Sequence, residues 1–111
     1  MSHWAEARVE RWLEGRGWRT LGRNVSSRSG ELDLVMADGD TIVFVEVRQR
    51  SSDTYGGAAE SLTGAKCARV RRAAAAWLAQ HAKHEASVRF DAVLVRGGAQ
   101  CARVTLVRDA F

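Results

Sequence analysis

The sequence predicts a mixed α/β domain, a central sheet flanked by helices, with its elements in the order α-β-β-β-α-β-β. Three observations predict it. Two stretches, 2–15 and 63–83, repeat their apolar residues at helical spacing. Five short runs bounded by Gly, Ser, Asn or Asp read as strands. Helices and strands are interspersed along the chain, which puts helices against the faces of a sheet.

In the first helix the apolar stripe is Ala5, Val9, Trp12 and Leu13, with Ser2 as the candidate N-cap and Gly15 or Gly17 as the stop. The stretch "WRTLGRNVS", 18–26, reads as a polar strand near a sheet edge. Two stronger strands follow at 30–37 and 40–49, rich in Val, Leu, Ile and Phe. The Gly- and Ser-bearing stretch "RSSDTYGGAAESLTG" is a loop, and Thr63 is placed to cap the second helix. "VRFDAVLVR" (88–96) and "RVTLVR" (103–108) close the sheet, with a turn at "GGAQ".

With 111 residues the chain is expected to form one domain over 1–111, large enough for a modest core. No apolar run approaches a membrane span, and the opening "MSHWAEARVE" lacks the apolar core of a signal peptide. The expected location is the cytoplasm, with no membrane partner. Cys67 and Cys101 are too few and too far apart for a disulfide framework or a zinc site, so both are read as reduced thiols. A net charge of +4, carried mostly by arginine, suits a polyanion such as nucleic acid.

Three carboxylates interrupt the strong strands: Glu31, Asp33 and Glu46 in "GELDLVMADGDTIVFVEVRQR". Asp38-Gly39 is a hairpin signal, because both central residues of a type I′ turn need positive φ. A loop of those two residues sets Ala37 against Asp40, Asp33 against Phe44 and Glu31 against Glu46. Glu31, Asp33, Phe44, Glu46 and Arg48 then share one face, and Leu32, Leu34, Val43, Val45 and Val47 the other. Opposed like charges destabilise a sheet unless something compensates them. A divalent ion, Mg2+ or Mn2+, is one compensator, since carboxylates on adjacent strands can reach one cation. Ion pairs with Arg48, Arg50 and Arg28 on an open sheet face are the other.

These residues resemble a known family. "GELDLV" followed by "FVEVRQR" is similar to the signature strands of the YraN-type family of uncharacterised small proteins, assigned to the PD-(D/E)XK nuclease superfamily near the Holliday-junction resolvases. "AEARVERWLEGRGW", "YGGAAESLTGAK", "RFDAVLV" and the closing "DAF" extend the resemblance over nearly the whole chain. It implies a restriction-endonuclease-like core, with Asp33 and Glu46 as metal-binding acids, Glu31 in the same strand motif and Glu6 as the helix glutamate. It also implies DNA as partner and allows a homodimer.

One position departs from the superfamily pattern. The lysine expected two residues after the acid is Arg48, which stays protonated and cannot act as a base, though its fork can bind a phosphate. Lys66 lies in the apolar stripe of the second helix (Val70, Ala73, Ala74, Trp77, His81), which aims it at the sheet. It is expected to contribute the missing amine or a phosphate contact, or else to snorkel at the helix end. Arg28, Arg50, Arg69 and Arg72 are expected to track neighbouring phosphates. Ser51 and Tyr55 can join Arg50 if the loop orders on a phosphate backbone. The tryptophans are read as core or interface residues, and His81 and His84 as solvated. The expected function is metal-dependent endonuclease action on DNA, branched or damaged. The alternative is a nucleic-acid-binding module that keeps the fold without turnover.

Overall fold

The computed structural model describes residues 3–50, 63–83 and 85–111, with the backbone alone at His3 and Arg50. The elements are α1 (His3–Gly15), β1 (Arg19–Ser27), β2 (Gly30–Asp38), β3 (Thr41–Arg50), α2 (Gly64–Gln80), β4 (Ser87–Arg96) and β5 (Arg103–Val107). This is the predicted order. Among the described residues five strands form one open sheet, β1-β2-β3-β4-β5, in which only β3 and β4 run parallel. Their crossover contains α2, as a parallel connection requires. The polar strand β1 lies at an edge, as its composition predicts. The expected cap Ser2, the loop residues Ser51 and Tyr55, and His84 lie outside the described residues.

Two apolar clusters sandwich the sheet. On one face Ala5, Val9 and Leu13 of α1 pack on Leu34, Met36, Val43, Val45, Val47, Val93 and Val95. On the other, Val70, Ala73, Ala74 and Trp77 of α2 pack on Leu32, Val35, Ile42 and Phe44. Trp77 meets Phe44 edge-on, with ring centroids 5.9 Å apart. Thr63 caps α2, its hydroxyl accepting from the Lys66 amide at 3.1 Å. Trp18 and Trp77 are buried, while Trp4 and Trp12 are half-buried against the α1 cluster. Among the described residues no helix is long and apolar enough to cross a membrane.

The hairpin register differs from the expected one by a step at the turn. Asp38 pairs with Thr41, Ala37 with Ile42 and Val35 with Phe44, so the loop is Gly39-Asp40. Gly39 alone has positive φ, +61°. A positive φ at the first central residue is the sense of a II′ turn, which takes Gly there, whereas the I′ turn needs it at both. Moving the loop by one residue changes every partner by two and leaves the face unchanged. Continued one step past Leu34–Val45, the register brings Asp33 level with Glu46, not with Phe44. Glu31 does not face Glu46.

The alternation of faces also fails at one level. Leu32 packs beneath α2 with Val35 and Phe44, not beneath α1 with Leu34. On the neighbouring strand Val25 packs beneath α2 as well. Between them Asn24 adopts φ +49°, a conformation that Asn tolerates better than most residues. The flanking pairs Arg23–Leu34 and Val25–Leu32 put Asn24 level with Asp33. Both strands are therefore irregular where the acidic side chain sits.

Candidate active site

Local sequence sets the burial of the two acids. Asp33 follows Leu32 and precedes Leu34, and Glu46 sits between Val45 and Val47; all four flanking residues are core. The carboxyls share that burial, at 4% and 2% exposure. The recorded β2–β3 pairs end at Leu34–Val45. One step beyond, Asp33 Oδ2 accepts the backbone N–H of Val47 at 2.9 Å. A side-chain oxygen thus satisfies a buried amide of β3 and fixes Asp33 against that strand.

Glu46 projects from β3 toward α2, where Lys66 Nζ stands 3.2 Å from its Oε1. The contact is an ion pair by distance, but Oε1 receives no hydrogen bond in this geometry. Burial pushes the Glu46 carboxyl up to about 7, and the Asp33 charge adds to the rise against the pull of Lys66. Burial also raises Asp33, opposed first by the Val47 amide and then by Lys66. A hydrogen bond from Glu46 draws Asp33 back down as well. The two buried carboxyls therefore hold a proton between them more readily than free carboxyls do.

The other candidate residues are placed unequally. Glu6 is buried on α1 and lines a cavity of about 270 Å³ with Glu10, Arg23, Asn24 and Leu34. Asn24 is level with Asp33 and Leu34 adjoins it, so Glu6 approaches that level of β2 from the α1 side. Glu31 is exposed, and its charge acts on Asp33 as a minor influence. Among the described residues no three His, Cys, Asp or Glu side chains converge on a common point. Arg48 is half-buried and its charge reaches Glu46. Lys66, as the helical stripe predicts, turns inward, while Arg69 and Arg72 are exposed.

Arg28 is exposed in the β1–β2 turn, which returns through Gly30 at φ +141°. A Cβ on Gly30 would come within 3.5 Å of the Arg69 carbonyl oxygen, so this hairpin end lies against α2 beside Arg69. At the end of the sheet beyond Glu46, Arg50 pairs with Arg96 and Arg96 with Arg103. Three arginines on neighbouring strands form one cross-strand row, visible only once the parallel β3–β4 register is known.

Sequence reasoning missed a second buried ionic group. Asp91 is 0% exposed and accepts from Arg89 Nε at 3.0 Å and from the Asp109 amide at 3.0 Å. Arg89 also reaches Asp38 at 3.3 Å and lies over the Trp18 ring at 5.4 Å. This group ties the chain end to β4 and to the β2–β3 turn. The alternation Arg-Phe-Asp in "VRFDAVLV" puts Arg89 and Asp91 on one face and is the signal that would have found it.

Comparison of the sequence with known proteins finds a matching family. The model of the uncharacterised protein family UPF0102 matches residues 5–95. A UPF0102 protein of Halorhodospira halophila is 50% identical over 107 residues, covering 96% of this chain and 83% of that one. The UPF0102 protein YraN of Escherichia coli strain SMS-3-5 is 46% identical over 108 residues, 96% of this chain and 79% of its own length. A UPF0102 protein of Frankia casuarinae is 46% identical over 112 residues, covering 100% and 95%.

Proposed function

The chain belongs to the UPF0102 family, and from that premise we propose that it is a metal-dependent, nuclease-like protein that hydrolyses phosphodiesters in DNA. The observation that carries this reading is the buried pair Asp33 and Glu46, set side by side where the β2–β3 pairing gives way. Few structural roles call for two acids among Val and Leu, because burying a charge is costly unless it is compensated. Glu46 Oε1, buried and facing the Lys66 ammonium at 3.2 Å, is an oxygen that already meets a positive charge and that a metal ion would share.

Asp33 and Glu46 would hold Mg2+ or Mn2+, with Glu6 and Glu31 as neighbouring acids. Such an ion supplies Lewis acidity and makes its bound water a better nucleophile. The chain's own residues do the rest. Asp33, pinned by the Val47 amide, keeps its second oxygen oriented. Lys66 holds an ammonium beside Glu46 and takes a non-bridging phosphate oxygen. Arg48 contributes fixed positive charge and a bidentate fork, but no base. Arg28, Arg69 and Arg72, with the row Arg50–Arg96–Arg103, follow the flanking backbone, so association weakens steeply with salt. The setting is cytoplasmic, and pairing of two copies would suit a branched substrate.

The second reading is a nucleic-acid-binding module without turnover. Arg48 at the lysine position favours it, as does the absence of a converging group of three ligand-type side chains among the described residues. Incubating linear and branched DNA with Mg2+ or Mn2+ decides between them. Hydrolysis by the wild type that is lost in Asp33→Ala and in EDTA supports the nuclease reading. Binding that persists in EDTA with no cleavage in either metal replaces it by the module.

A further inference from the structure

A cavity of about 410 Å³ lies at the opposite end of the sheet from Glu46, beside the β2–β3 turn and the last turn of α2. Its floor is apolar, made of Ile42, Trp77 and the exposed Leu21. The rim carries Arg19, Lys83 and Asp40. None of these three takes part in the ion pairs of the described residues. The volume is that of a small-molecule site, which characteristically combines an apolar bed with a few placed polar groups.

We propose that this cavity binds a free nucleoside monophosphate. Two rim cations suit a dianionic phosphate better than a singly charged acid. The bed formed by Leu21, Ile42 and Trp77 suits a flat ring. Asp40, which would repel an anion, has a use if the ligand also brings hydrogen-bond donors, and ribose hydroxyls or an exocyclic amine are such donors. An alkyl carboxylate leaves Asp40 without a role, and inorganic phosphate leaves the apolar bed empty. Three of the last carbonyls of α2 are already taken and do not oppose an anion. The amides of His81, Ala82 and Lys83 close onto Trp77, Ala79 and Leu78 at 3.1, 3.2 and 2.8 Å. The His81 ring stacks on Trp77 at 4.0 Å and stiffens that wall.

Titration of the full chain with adenosine 5′-monophosphate, followed by amide and indole resonances, tests the proposal. Saturable shifts are expected at the Trp77 indole and at residues 39–42. The double variant Arg19→Ala/Lys83→Ala should raise Kd at least tenfold; both side chains are exposed, so the fold persists. Adenosine and inorganic phosphate alone should each bind at least tenfold more weakly, and so should a dinucleotide, whose phosphodiester carries one charge. Asp33→Ala should bind as the wild type does, which separates this site from the carboxylate pair. Four results overturn the proposal: no saturation, an unaffected double variant, shifts lost in Asp33→Ala, or a dinucleotide that binds as well as the monophosphate.

Discussion

Replacing Glu46 with Gln keeps the shape of the side chain and removes a carboxyl that burial holds protonated up to about pH 7. In the unfolded chain that carboxyl ionises at an ordinary 4.5. Between these values the folded state binds the extra proton, so wild-type stability falls as pH rises through that window and is level on either side of it. At about 1.4 kcal/mol per pH unit, the ionised group costs the fold up to about 3 kcal/mol above pH 7. Gln carries no such cost. Urea unfolding in EDTA from pH 4.5 to 8 reads the difference directly. The stability of Glu46→Gln relative to wild type should improve by up to about 3 kcal/mol across the range. A pH-independent amide cost shifts the two curves apart without altering that change. Parallel curves would refute the placement of Glu46 in a dry site beside Asp33. A divalent ion should reverse the wild-type trend, since it favours the ionised carboxyl.

Asp33→Ala strands the buried Val47 amide and should lower stability by about 1–3 kcal/mol in urea unfolding, whereas Asp33→Asn, which keeps an acceptor, should cost less. Arg89→Ala leaves Asp91 buried without its guanidinium and should cost about 3–5 kcal/mol. Arg23→Ala removes a guanidinium ion pair of similar length whose arginine is largely exposed, and should leave the thermal midpoint nearly unchanged. Thr63→Ala deletes the cap of α2 and should cost about 1 kcal/mol, read as a lower thermal midpoint.

The order of the elements was legible because each carries its own period: the α1 stripe, the α2 stripe and the Val-rich strands all announce themselves locally. The inward aim of Lys66 was legible for the same reason. The partner of Asp33 was not. It turns on whether Asp38-Gly39 or Gly39-Asp40 closes the hairpin, a choice between two turn types whose local preferences differ little. The face of Leu32 was lost to the Asn24 irregularity, a backbone conformation that no periodicity records. The Arg50–Arg96–Arg103 row and the Asp38–Arg89–Asp91 group join residues remote in sequence, so they follow from strand register and not from spacing.

Calorimetric titration of Mn2+ into wild type and Asp33→Asn, at pH 6 and pH 8, tests the carboxylate pair as a cation site most directly. One saturable site is expected in the wild type, tighter at pH 8 because binding must displace the Glu46 proton, and absent from Asp33→Asn. Equal heats from the two proteins, or no saturable heat at either pH, would contradict it.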